Sequence, residues 1–229
     1  MQQSPRTLEE QRAEFINRSF IATPLSGLII WTIIGCSGLF FSEKISVWTL
    51  FIGTGSIVYL ALFLSKFTGE HFLEKNKPKN EFDSLFLITV GQAVLVYSIA
   101  IPFFLVDYTS LPMTVGILTG LMWLPFSWMI KHWVGFFHSI SRTILTVVLW
   151  YLFPENRFVA IPFAIVIIYI ITLLVLRNRK TTLWEMVWFH SLKTMMNSQN
   201  ISTHTKIKSQ SQYIESNAHK LSIQKIIVS

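Results

Sequence analysis

The sequence predicts an all-α membrane protein, a polytopic bundle of six transmembrane helices in three hairpins with both termini on the cytoplasmic side. Three observations predict it. The 229-residue chain is 52% hydrophobic and 14% charged, against about 25% charged in a typical soluble domain, and its mean hydropathy is +0.50. Six apolar runs follow one another, at about 20–41, 45–64, 84–106, 111–130, 133–153 and 158–176. Each is close to the ~20 residues that cross a hydrocarbon core ~30 Å thick. Finally, 16 of the 19 lysines and arginines fall on the side that would face the cytoplasm if the N-terminus does. That is the bias that orients a multi-pass chain.

The elements follow in order. Residues 1–19 are polar, and Thr7 with Glu10 has the spacing of a capping box. A short cytoplasmic interfacial helix is therefore expected over 6–19, leading into the first span. Glu9, Glu10 and Glu14 precede that span, and it is longer than the ~7–15 residue core of a cleaved leader. The links Ser42 to Lys44, Asp107 to Ser110 and Pro154 to Arg157 are short, so each pairs antiparallel neighbours into a hairpin. Strands are excluded because the runs are long and do not alternate, and in lipid an open sheet cannot satisfy its backbone. Residues 177–196 read as a basic stop followed by an amphipathic interfacial helix carrying Trp184 and Trp188. Residues 197–229, rich in Ser, Gln, Asn and Lys, read as a disordered cytoplasmic tail.

Three stretches carry a resemblance: WTLFIGTGSIVYLALFLSK at 48–66, TVGILTGLMWLPFSW at 114–128 and YLFPENRFVAIPF at 151–163. The chain resembles, over about residues 7–178, an uncharacterised family of small bacterial multi-pass membrane proteins classed as a domain of unknown function. The resemblance implies a bacterial origin and location in the bacterial cytoplasmic (inner) membrane. It implies no catalytic residues.

The polar residues inside the runs are few. Arg142 lies about nine residues into the fifth span, ~13 Å deep at ~1.5 Å per residue. A charge at that depth costs some kcal/mol. Two readings stay open at this point: an inward-facing functional residue, or a side chain snorkelling to the headgroups past Lys131 and His132. Gly135, His138, Ser139, Arg142 and Thr146 recur at spacings of three and four, which gives this helix one polar stripe. Gln92 on the third span matches Arg142 in depth, and Ser56, Tyr59 and Tyr169 fall near the same level. These residues define a candidate binding set of Arg142, Gln92, His138, Ser139, Tyr59 and Tyr169 for a small polar or anionic ligand. The alternative is a layer of interhelical hydrogen bonds.

Gly116 and Gly120 have GxxxG spacing, which suits helix packing within the bundle or in a homo-oligomer. Pro125 is the expected kink of the fourth span, and Asp107 and Arg157 at the outer face are placed either to form an ion pair or to make a surface contact only. Other chemistries lack material. There is no HExxH, Walker, GxSxG or CxxC motif, and the lone Cys36 permits no internal disulfide. His132 and His138 are six apart, which is wrong for metal ligands on one helix face. No metal, cofactor or catalytic residue is expected, and the +7 net charge is accounted for by orienting loops rather than by nucleic-acid binding. Beyond the lipid bilayer itself, two functions lead: a small transporter-like or ligand-binding bundle centred on Arg142, or a non-catalytic accessory subunit acting through helix contacts; a membrane-embedded enzyme using His138 comes third.

Overall fold

Helix α1 (Leu8–Ile16) begins where the sequence places its capping box. Thr7 Oγ1 accepts from the Glu10 amide at 3.3 Å, and the Glu10 carboxylate accepts from the Thr7 amide at 2.8 Å. The computed structural model describes residues 6–70 and 79–179, all within the first of the two units into which the chain divides. These residues also form α2 (Ala22–Phe40), α3 (Glu43–Thr68), α4 (Glu81–Leu95), α5 (Tyr97–Val106), α6 (Leu111–Gly120), α7 (Trp123–Ile130), α8 (Val134–Leu152) and α9 (Arg157–Arg177). The described residues contain no strand. The expected helix over 182–196 and the tail beyond it lie outside them.

Five segments are long and apolar enough to cross a membrane: α2, α3, α4 with α5, the stretch Tyr108–Ile130 containing α6 and α7, and the stretch ending with α9. The remaining expected span, 133–153, corresponds to the 19-residue α8. Its polar stripe sets it apart from the other five.

Two of the expected continuous spans are broken. The third divides at Val96, which separates α4 from α5. The fourth divides at Leu121 and Met122, not at Pro125 itself. The displacement has a simple cause, because a proline lacks the N–H that would bond the carbonyl four residues back, and its ring crowds that carbonyl. The carbonyl four back from Pro125 belongs to Leu121. It accepts instead from Leu124, one residue short of helical spacing, at 3.1 Å.

The helices form an arc. α2 packs between α3 and α9, α9 packs on α8, and α8 packs on α6 and α7, which in turn carry α5 and α4. α3 meets α5 at one end of the bundle through Phe51, Tyr97 and Phe104, and through a 2.7 Å hydroxyl contact between Thr54 and Tyr97. Towards the end that carries α1, α3 and α4 part and leave a crevice between Ile57–Leu62 and Phe86–Ala93. The exterior is apolar: Ile52, Phe67, Ile88, Leu105 and Val106 are each at least two-thirds exposed. So many large exposed apolar side chains belong against lipid rather than water.

α1 is shorter than the expected 6–19 helix, and it is docked rather than simply lying on a surface. It crosses the ends of α4 and α7. Phe15 is 1% exposed and sits among Phe20, Phe82 and Phe86, a burial worth about 1.5–3 kcal/mol. Arg12 lies 4.1 Å over the Trp128 ring. Glu14 bridges Arg6 and Arg18, and Arg18 also pairs with Asp83 at the start of α4.

Candidate functional site

The polar stripe of α8 is its buried face. Gly135, His138, Ser139, Arg142 and Thr146 are all buried, whereas Ile140, Ile144 and Val148 on the opposite side are exposed. The helix is therefore turned inside out relative to a soluble one, polar towards the protein and apolar on its outer face. Arg142 is 0% exposed, so it points into the bundle and does not snorkel.

Three hydroxyl or imidazole groups hold the guanidinium. Nη2 donates to Thr119 Oγ1 at 2.8 Å, Nη1 donates to the Tyr169 hydroxyl at 3.2 Å, and Nη1 lies 3.5 Å from His138 Nε2. Its carbon sits 4.9 Å over the Trp31 ring, a cation–π contact that partly replaces hydration. Two glycines make room for this arrangement. A Cβ at Gly120 would come within 2.9 Å of Arg142 Cδ, and one at Gly27 would overlap the Tyr169 ring at 2.3 Å. Gly120 of the GxxxG pair thus faces the Arg142 stem, and Gly116 faces Thr146 and Ile165. Both glycines are turned inward, to α8 and α9 of the same chain.

Proton positions follow from the donor inventory. Arginine only donates, so His138 Nε2 accepts and Nδ1 carries the hydrogen. Nδ1 then donates to Thr172 Oγ1 at 2.9 Å, and Thr172 donates to the Ile168 carbonyl at 2.8 Å. His138 is neutral in this chain of bonds. It lies flat on Trp123, with ring centroids 4.3 Å apart.

What the site lacks is a negatively charged acceptor. Among the described residues no carboxylate pairs with Arg142, and the acidic residues of the long helices sit at their starts: Glu43, Glu81 and Asp83. Arg142 Nε, Thr146 Oγ1, Trp31 Nε1 and Trp123 Nε1 are all buried without a hydrogen-bond partner. Each can donate, and leaving a buried donor unpaired costs about 1–3 kcal/mol. The surroundings of this cation therefore hold an excess of donors over acceptors, which is the complement of an anion.

The expected binding set is only partly assembled. Arg142, His138 and Tyr169 come together, with Ser139 buried on the same face. Gln92 is exposed and Tyr59 is 75% exposed, so both lie on the outer surface rather than beside Arg142. Depth places a residue along a helix but not around it. On α4 the buried face runs through Phe82, Phe86 and Thr89, and Gln92 points roughly 80–100° away from it. On α3, Tyr59 is similarly turned from the face of Leu50, Thr54 and Ala61.

Thr119, Thr172, Trp31 and Trp123 were not legible as site residues. Two had local signals, since Thr119 adjoins Gly120 and Thr172 lies one turn from Tyr169. The outer-face ion pair is not direct. Arg157 donates to Thr109 Oγ1, and Thr109 donates to Asp107, so the hydroxyl mediates between the two charges.

A buried acid stands at the α1 end. Glu70 follows α3 and is 4% exposed. Its Oε1 accepts from the amides of Ile21 and Ala22 at 2.6 and 2.8 Å, capping the start of α2, where no side chain of that segment does so. Burial pushes its carboxyl above the usual range, although the two amide bonds pull the other way.

Five apolar segments of spanning length and an apolar exterior make this a multi-pass α-helical membrane protein. The chain belongs to a family of unknown function (DUF7010), which it matches over residues 8–179. No curated protein and no solved structure matches it.

Proposed function

We propose that this protein crosses the bacterial cytoplasmic membrane six times, with both termini inside, and binds a small anion within the bundle at Arg142. One observation carries the reading: a fully buried guanidinium without a carboxylate, whose Nε has no acceptor. Taking a charge out of water costs several kcal/mol even after relaxation, and an apolar residue of the same shape would usually stabilise a purely structural site better. Inside a membrane, a costly charge of this kind is by default a functional one. The lysine and arginine bias supports the orientation, and α8, with its apolar outer face, is the sixth crossing.

The test uses purified protein in a low-chloride detergent buffer. Trp31 and Trp123 border the site, so intrinsic fluorescence reports occupancy. Titration with acetate, benzoate, chloride and phosphate should give a saturable change with at least one of them, and Arg142→Gln should abolish it. An unchanged midpoint in Arg142→Gln would sink the reading.

A further inference from the structure

Resting on that reading, we infer that the anion is the head of a single-chain amphiphile, a long-chain carboxylate. Its head lies against Thr119, Tyr169 and Trp123, and its hydrocarbon tail lies in the crevice between α3 and α4. The crevice and the buried cation share a wall. Thr119 and Tyr169 both line the crevice, and both hold the Arg142 guanidinium from behind. The wall donates rather than accepts. The Thr119 proton is spent on the Val115 carbonyl at 2.6 Å, but the Trp123 indole N–H has no partner. The Tyr169 hydroxyl accepts from Arg142, and its own proton has no acceptor among the described residues. One fixed positive charge with spare donors is matched by one negative charge, hence a carboxylate.

The rest of the crevice selects a tail. Ile57, Ala61 and Leu62 of α3 face Leu87 and Val90 of α4 across it. Apart from Thr54 on α3, these two sides offer nothing polar, and α2 adds only Thr23. The enclosed space is about 60 Å³, room for about four waters at ~15 Å³ each. That holds a carboxylate and its first methylenes, not a whole chain. The tail must therefore leave sideways between α3 and α4. Both helices carry exposed apolar side chains there, including Phe63 and Ile88, and at this level the neighbouring medium is acyl chain. A ligand that enters from the bilayer never brings its tail into water.

The experiment compares butyrate, dodecanoate and dodecyltrimethylammonium in nanodiscs of uncharged phosphatidylcholine. Brominated chains are used to quench tryptophan, and protein-free nanodiscs correct for partitioning. Dodecanoate should bind at least about tenfold tighter than butyrate, since each methylene buried against protein adds to affinity. The cationic amphiphile should not compete. Ala61→Phe, which fills the crevice, should bring the ratio of the two carboxylate affinities to about one. Val90→Phe repeats the test from the α4 side should the first variant fail to fold.

Equal affinities for butyrate and dodecanoate in the natural protein would overturn the amphiphile and leave anion binding at Arg142 standing. So would a ratio untouched by both crevice-filling variants, or competition by the cation. Failure of both carboxylates to bind would overturn the inference, and if the other small anions failed as well it would remove the reading beneath it.

Discussion

Gly120 is the point at which the Arg142 side chain crosses α6: a Cβ there would stand 2.9 Å from Arg142 Cδ and 3.3 Å from Nε. The arginine is enclosed and held by three partners, so it cannot move aside freely. Gly120→Ala should lower stability by about 1–3 kcal/mol, the usual cost of overpacking, and should weaken the anion response. Gly116→Ala meets only ordinary contacts at 3.4–3.6 Å. It should stay within about 0.5 kcal/mol of the natural protein, or gain slightly from helix propensity. Thermal unfolding in detergent compares the two variants, and equal losses would mean that the close approach is not what matters at Gly120.

Arg142→Met separates a functional charge from a structural one. Methionine approximates the arginine stem and removes the uncompensated charge. Stability should fall by no more than about 1 kcal/mol, or should rise, while the fluorescence response to anions disappears. A loss of about 3–5 kcal/mol would make the hydrogen bonds to Thr119, Tyr169 and His138 the reason for the arginine.

Glu70 gives a pH signature of defined sign. Its carboxyl is raised in the folded protein, so its contribution is fully present below the unfolded value near 4.5 and is lost as pH rises through the folded value. Glu70→Gln keeps an acceptor for the Ile21 and Ala22 amides but does not titrate. The stability of the natural protein relative to this variant should therefore be greatest at acid pH and decline towards neutrality. Glu70→Ala strands both amides and should cost about 1–3 kcal/mol at every pH. Denaturation midpoints of the three proteins from pH 4 to 8 decide it, and a difference that grows with pH would contradict the assignment.

The six-span topology predicts a labelling pattern in a Cys36→Ala background. Cysteines placed at Lys44, Asp107 and Arg157 should react with a membrane-impermeant maleimide added to intact cells. Cysteines at Lys79 and Lys131 should react only after lysis. If Lys131 and Arg157 label together in intact cells, α8 does not cross the bilayer.

How much of this was legible in the sequence depends on which residues mark a helix face. Where an apolar run stops is written in charges and tight links, such as Ser42 and Glu43 between α2 and the body of α3. The polar stripe of α8 was also readable, since His138, Arg142 and Thr146 stand out from an apolar background, but the sequence left open whether Arg142 turns inward or reaches the headgroups. α2, α3, α4 and α6 are apolar nearly all round, so nothing in their composition says which side turns inward. That is why Gln92 and Tyr59 were grouped with Arg142 by depth, and why Thr119 and Trp31 went unseen. Pro125 announced a break but not its position, which depends on the carbonyl the proline disturbs. Glu70 could not be foreseen as a cap for α2, since it lies 48 residues from Ala22 and only the folded chain brings them together.

The docking of α1 has a consequence for the order of synthesis. Phe15 is seated by Phe82 and Phe86, and Arg12 by Trp128. Arg179, past the end of α9, donates to the Ile16 carbonyl that closes the helix. None of these partners exists when α1 leaves the ribosome. α1 must wait for α4 to cover Phe15, for α7 to bring Trp128 to Arg12, and for residue 179 to reach its last turn. A chain interrupted before α4 has been made therefore carries a Phe15 that neither Phe82 nor Phe86 can cover, exposed for quality-control proteases to find.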